Sequence, residues 1–401
     1  MKITHAAGFY PRIYANLRGC HRAGSRAGWW RRRGRVVSLL VAMLLMPACR
    51  ISDPAPIVTA VASPTVQSTV AGVLPTFTPA PTPTPSPTPR PPLKQLTSGG
   101  CCVQPSWSPD SKQVWFLDKP SADAPPGTYA VNIDEPMKPP FRVLDLVGLY
   151  SRDLSLVAYP EGRDTMVERL KTGERWTIPN QGQAVVFSPD AKRIAWEIEE
   201  SNADKPFDER RAQIYLARFD GEDPVLVTTV YGGGLVGWID DQRILFSGRP
   251  SLDVRERTLV ALDITHNVAS DLVKAERLGG IAVSPGGSWL AYFITFDEDA
   301  SRNGIWIERT DGSGAHRLDV WGAYQWRDDS RLLYIPVRAS ASEPFVIGEY
   351  DTAKGTSRPV TDPATAPIEI ANGDWRVSPD GRYVVYLNDA DRNLWLVELE
   401  K

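Results

Sequence analysis

The chain repeats one short phrase seven times, and that repetition limits its fold more than any other property. Asp110, Asp153, Asp190, Asp240, Gly286, Asp328 and Asp380 each stand six residues before an aromatic: Phe116, Tyr159, Trp196, Phe246, Tyr292, Tyr334 and Tyr386. Successive aromatics lie between 37 and 52 residues apart, with a mean of 45. Self-similarity at such a period belongs to a solenoid or a propeller, and the local pattern chooses between them. An apolar strand ends in Ser-Pro-Asp, where Pro presets φ for the second turn position and Asp accepts from nearby amides at the third. A second apolar strand follows at once, so the two form a tight hairpin. Beyond a polar loop comes a third strand of alternating type (QIYLARF, TLVALDI, GIWIERT), then a turn and a weaker fourth strand such as ERWTIP or PVLVTT. Four antiparallel strands per repeat, with no helical period anywhere, make a propeller blade.

The two ends of the repeat region complete one another. The seventh repeat stops at NLWLVELEK, after its third strand, and LKQLTSG (93–99) reads as a fourth strand with no blade of its own. Pairing them removes an open sheet edge. The expected fold is all-β: a seven-bladed propeller of four-stranded antiparallel blades, its ring closed by the N-terminal strand on the last blade. Six blades is the alternative, because the second repeat is short and carries Ser-Arg-Asp. Gly286 deprives the fifth turn of its carboxylate and is expected to loosen it.

The phrases Trp-Ser-Pro-Asp-Ser, Phe-Ser-Pro-Asp-Ala and Val-Ser-Pro-Asp-Gly-Arg resemble the repeats of TolB-like, WD-repeat-like β-propellers, over residues 93–401. The resemblance implies a binding platform, a bacterial periplasmic or surface propeller that holds proteins, peptides or glycans at its face or channel. The same repeat also occurs as the non-catalytic half of serine peptidases. On this resemblance Asp110, Asp153, Asp190, Asp240, Asp328 and Asp380 are turn formers, and the aromatics are core between blades.

Ahead of the repeats lie two segments of different composition. Residues 1–48 carry nine basic side chains and no acid, and close on the apolar run VVSLLVAMLLMPA. As a helix that run reaches about 20 Å, short of the roughly 30 Å hydrocarbon layer. A basic segment, a short apolar core and a small residue read as an export signal. Leu-Leu-Met-Pro-Ala-Cys49 resembles the lipobox of bacterial lipoproteins, which implies a lipid on Cys49, although Met46 and Pro47 depart from the usual residues. Ordinary signal cleavage and an uncleaved anchor are the alternatives. Residues 49–92 hold twelve prolines, culminating in PTFTPAPTPTPSPTPRPP, and alternating Pro favours a polyproline II stalk. The expected protein is therefore extracytoplasmic and membrane-anchored, on the cell surface or in the periplasm. Without residues 1–48 its 45 basic residues fall to 36 against 48 acidic, so a formal charge of −3 becomes −12.

Chemistry is sparse. There is no Gly-x-Ser-x-Gly nucleophile elbow and no α/β region to carry one. Only His266 and His316 follow the export segment, in different repeats, which disfavours a zinc site or a Ser-His-Asp triad. Both are expected on a solvated rim. The favoured reading is a monomeric, non-enzymatic scaffold without cofactor that binds an envelope protein, peptide or glycan. A propeller lyase or hydrolase acting at the channel, and a sensor or accessory subunit of an envelope complex, are the alternatives. Nucleic acid is not expected, since no basic stripe remains. Candidate binding residues are Cys101 and Cys102, adjacent and open to a strained bridge, and Tyr231 and Tyr324, beside the glycine-rich connections between repeats. Asp297 with Glu298 and Asp299, and Asp389 with Asp391, are acidic-loop candidates for Ca²⁺, without EF-hand spacing.

Overall fold

The computed structural model describes residues 93–400, except residues 101, 120–122, 145–147, 201–204, 341 and 365. The export segment, Cys49 and the stalk lie outside the described residues. Within them the protein is all-β, and helix is limited to two single 3₁₀ turns, Phe207–Glu209 and Ala300–Arg302.

Five four-stranded antiparallel sheets stand as separate blades in a propeller arrangement. The first repeat forms Val103–Trp107, Gln113–Asp118, Gly127–Asn132 and Phe141–Leu144; the second runs from Leu149–Tyr150 to Glu174–Ile178. Seven separate blades, expected from seven repeats, are not what forms. Repeats three and four share one continuous seven-stranded sheet from Val185–Phe187 to Val268–Ala275. The cause is a single 14-residue strand, Val225–Trp238. Its first half pairs with Arg211–Arg218 and its second half with Arg243–Arg249, and bulges fall between Tyr231 and Gly234 and between Leu235 and Gly237. The connection that elsewhere loops between repeats is here extended through Gly232-Gly233-Gly234, with Gly232 at φ +63° as the kink.

The last sheet draws on both ends of the described chain. Leu93–Gln95 lies antiparallel on Leu394–Glu398, with Leu93 opposite Val397 and Gln95 opposite Trp395. Thr97 Oγ1 accepts from the Leu394 amide at 2.9 Å, and Leu96 is fully buried.

Apolar clusters fill the spaces between successive repeats. One joins Phe116 and Val131 of the first repeat to Leu96, Val385 and Leu396 of the last sheet. Others join repeats six and seven, two and three, four and five, three and four, and five and six. None of these joins repeats one and two, where Trp115 meets Tyr150 with ring centroids 4.5 Å apart. Of the seven repeat aromatics, all but Tyr334 are buried, as an inter-repeat core requires.

The repeat turns follow two designs. In the first, Ser108 Oγ donates to Asp110 Oδ1 at 2.6 Å and accepts from the Gln113 amide at 2.9 Å, while Asp110 Oδ1 also accepts from the Lys112 amide. The same bonds recur at Ser151–Asp153, Ser188–Asp190 and Ser378–Asp380. The second design is one residue shorter and lacks the serine two residues before the aspartate. Asp240 and Asp328 accept from the amides two and three residues on, and each pairs with an arginine, Arg243 or Arg331. The fifth turn is not loosened by Gly286. Asp329, from the sixth repeat, places its Oδ1 there and accepts from Ser284 Oγ, the Gly286 amide at 3.1 Å and the Ser288 amide at 3.2 Å.

Candidate binding face

In an antiparallel blade the loop from second to third strand and the connection from fourth strand to the next repeat emerge at one end. The hydrogen bonds bear this out. Val337 N donates to Trp321 O, Thr165 Oγ1 to Gln183 O and Gly100 N to Asn393 Oδ1. The candidate ligand residues of the sequence that the structure describes meet different fates.

Around the glycine triplet it builds a site. A Cβ on Gly232 would meet the Asp208 backbone at 2.8 Å, and the Gly232 amide donates to Arg210 O at 2.9 Å. Only glycine there lets the Phe207–Glu209 turn settle onto the bent strand. That settling brings Asp208 over two arginines. Arg257 pairs with the Asp208 carboxylate, and Arg249 donates to the Asp208 carbonyl. Tyr231, half-buried, lies opposite Arg249 and Arg211 on the two flanking strands. Arg255 and Glu276 pair at 2.8 Å, and Arg277 lies over the Phe296 ring, 5.0 Å from its centroid. Together Asp208, Arg249, Arg255, Arg257, Glu276 and Arg277 line a cavity of about 220 Å³. Exposed aromatics flank it: Phe207, under the Arg257 guanidinium, and Phe296, 74% exposed. Trp321 and Val337 extend the exposed apolar surface along the same face.

Sequence reasoning placed Tyr231 and the glycine triplet here but missed the arginines. They stand at positions 249, 255, 257 and 277, between 15 and 43 residues beyond the last triplet glycine, and only the fold brings Arg277 to the other three. A signal was present in the run Arg249, Arg255 and Arg257 around one loop of an otherwise acidic domain.

Tyr324 is committed elsewhere. Its hydroxyl donates to Gly280 O at 2.7 Å, bridging repeats six and five, and burial raises its pKa. Cys102 is disulfide-bonded, 5% exposed and packed in the cluster of the first and last repeats, at φ +74°. Cys101 lies outside the described residues. The acidic loops are not solvated brushes. Asp299 caps the Ala300–Arg302 turn through the Ser301 amide and hydroxyl, and Asp297 pairs with Arg302 at 3.1 Å. Asp389 pairs with Arg392 at 2.9 Å, while Asp391 accepts from the Asn393 amide and the Trp395 indole. Among the described residues no group of three or more His, Cys, Asp or Glu could hold a metal ion. His266 is exposed and paired with Asp263 at 2.9 Å. His316 departs from the expected solvated rim: its Nε2 lies 2.7 Å from the Tyr350 hydroxyl of the next repeat.

Comparison with solved structures supports the fold. The chain is similar to oligogalacturonate lyase from Vibrio parahaemolyticus, at 13% identity over 78% of this chain and 98% of that one, with a TM-score of 0.56. It is similar to an oligogalacturonate lyase in complex with manganese at 15% identity, over 78% of this chain and 99% of that one, with a TM-score of 0.54. TolB from Acinetobacter baumannii aligns at 13% identity over 72% of this chain and 77% of that one, with a TM-score of 0.37. No family model matches the chain, and no curated protein matches it. The class defined is an all-β propeller, among whose structural neighbours are both enzymes and TolB. No helix among the described residues is long and apolar enough to cross a membrane.

Proposed function

We propose that the protein is a non-enzymatic, extracytoplasmic scaffold, lipid-anchored through Cys49 and held off the membrane by its Thr/Pro stalk. Its loop face binds a protein, peptide or glycan of the cell envelope. One observation carries the reading: guanidinium groups and exposed aromatic rings, Arg257 on Phe207 and Arg277 on Phe296, share that face around a cavity. Arginine and aromatic side chains are the residues that recognition surfaces concentrate.

The test is affinity capture with the full chain against envelope extracts, compared with a Phe296→Ala, Trp321→Ala double variant. The expected result is a partner retained by the parent chain and lost by the variant. Eliminative or hydrolytic turnover of an envelope glycan or peptide by the parent chain would overturn the non-enzymatic reading. Mass spectrometry of the exported chain checks the anchor, which requires a diacylglyceryl adduct on Cys49.

A further inference from the structure

The cavity at the bend of the shared sheet holds an imbalance of charge. Four arginines line it against two carboxylates, Asp208 and Glu276. Arg257 and Arg255 have those carboxylates as partners. Arg249 and Arg277 have none among the described residues: Arg249 donates to the carbonyls of Asp208 and Val254, and Arg277 rests on the Phe296 ring. Two guanidinium charges are thus uncompensated at one place in a domain whose formal balance is acidic. A second observation points the same way. Arg249 Nε is buried and donates to no acceptor among the described residues. A buried donor left open in a native fold marks a missing acceptor, and the arginine that carries it lines a cavity of about 220 Å³.

We propose that this cavity is an oxyanion-binding site that takes a single carboxylate or phosphate group, either as a small molecule or as the charged end of a larger ligand. The guanidinium fork matches the spacing of two oxygens on such a group, and its bidentate bonds are the strong, oriented kind. Arg277 and Arg249 supply the charge, and the Phe296 ring offers an apolar wall for whatever carries the anion. The pairs Arg255–Glu276 and Arg257–Asp208 hold the walls in place and keep the unliganded cavity from being a bare cluster of like charge. The site rests on the reading of this face as the binding surface, and it narrows the ligand to one bearing an anionic group.

Isothermal titration of the full chain with citrate, and separately with inorganic phosphate, at fixed ionic strength tests it. Saturable one-to-one binding of at least one probe is expected. Citrate alone would assign a carboxylate and phosphate alone a phosphate, and either supports the site. Arg277→Ala, on an exposed side chain, should weaken binding at least tenfold with the melting temperature unchanged. Arg309→Ala, which removes an equal charge from a stack on Trp289 in the fifth repeat, should leave it within twofold. Arg249→Lys, which keeps the charge but loses the Nε donor, should also weaken it severalfold. No saturable heat with either probe, or an equal loss in Arg309→Ala, overturns the proposal. If anion binding follows these variants while envelope capture is unaffected by Phe296→Ala and Trp321→Ala, the site stands and the broader reading of the face falls.

Discussion

Gly286 shows how a single missing carboxylate is made good from outside its own repeat. A Cβ there would come within 2.7 Å of the Asp329 carboxyl group, so the glycine and the borrowed aspartate are mutually exclusive with the usual Ser-Pro-Asp turn. Asp329→Ala strands the Ser284 hydroxyl and two amides, and should cost about 1–3 kcal/mol in denaturant unfolding. Gly286→Asp should destabilise the parent chain yet restore stability in the Asp329→Ala background, a coupling that a double-mutant cycle reads directly. Desolvation pushes the Asp329 carboxyl up, but the bonds from Ser284, Ser288 and Gly286 outweigh it and hold the group below its ordinary value. For a lowered carboxyl the stabilisation is present above the unfolded-state value and disappears as pH falls through the folded one. Asp110, Asp153, Asp190 and Asp328 are lowered as well, so acid should attack the turns together. Glu308 has the opposite sign. Burial raises it, Tyr292 donates to one oxygen at 2.7 Å and the other oxygen has no partner among the described residues. Its ionisation opposes folding at neutral pH, and that penalty lifts as pH falls through the raised value. Glu308→Gln should therefore stabilise at pH 7 and gain less at pH 4, as melting at the two pH values would show.

At the scale of strands and turns, three of the interfaces between repeats carry the same pair of links. Trp107, Trp238 and Trp326 each donate an indole N–H to the first-strand carbonyl of the preceding repeat, Arg376 O, Val186 O and Ala282 O, at 3.0 to 3.1 Å. At the same three interfaces, the residue after the turn aspartate reaches into the neighbouring turn: Ser111 accepts from the Asp380 amide, Asp241 from the Asp190 amide, and Asp329 from the Gly286 amide. Replacing any of the three tryptophans with phenylalanine keeps the apolar bulk and removes the bond, and should cost about 1 kcal/mol each by chemical denaturation. This much could be read in the sequence, since Trp stands two or three residues before the aspartate at those repeats alone. The hairpins, the third strands and the aromatic core were legible for the same reason, because turn chemistry and period-two alternation are local. The seven-stranded sheet was not, since it depends on whether a glycine triplet loops or stays extended, which packing against the Phe207–Glu209 turn decides. Nor was the arginine cavity, whose members become neighbours only when strand ends from separate hairpins meet.

Over the whole molecule, long-range polar links concentrate toward the end of the chain. Arg327 and Glu349 form an ion pair with both side chains almost wholly buried, and Arg327 also donates to Gly381 O and Glu400 O while Arg358 pairs with Glu349 at 2.9 Å. Glu349→Gln leaves Arg327 buried without its counter-charge and should cost about 3–5 kcal/mol, read as a large drop in melting temperature. The edge of the last sheet depends on Leu93–Gln95, so a chain begun at Gly100 should expose that edge and associate, as light scattering would detect. The second repeat stands apart from all this. It has a first strand of only two residues, Leu149–Tyr150, and among the described residues no apolar cluster joins it to the first repeat. Neither of its sides carries an indole or turn link among the described residues. Of the described joints between repeats, this one is the least supported and should yield first. Hydrogen exchange should run fastest in Leu149–Tyr150 and the strand facing it. If the loop face binds as proposed, a ligand too wide for it should enter by parting that joint while the other repeats stay seated.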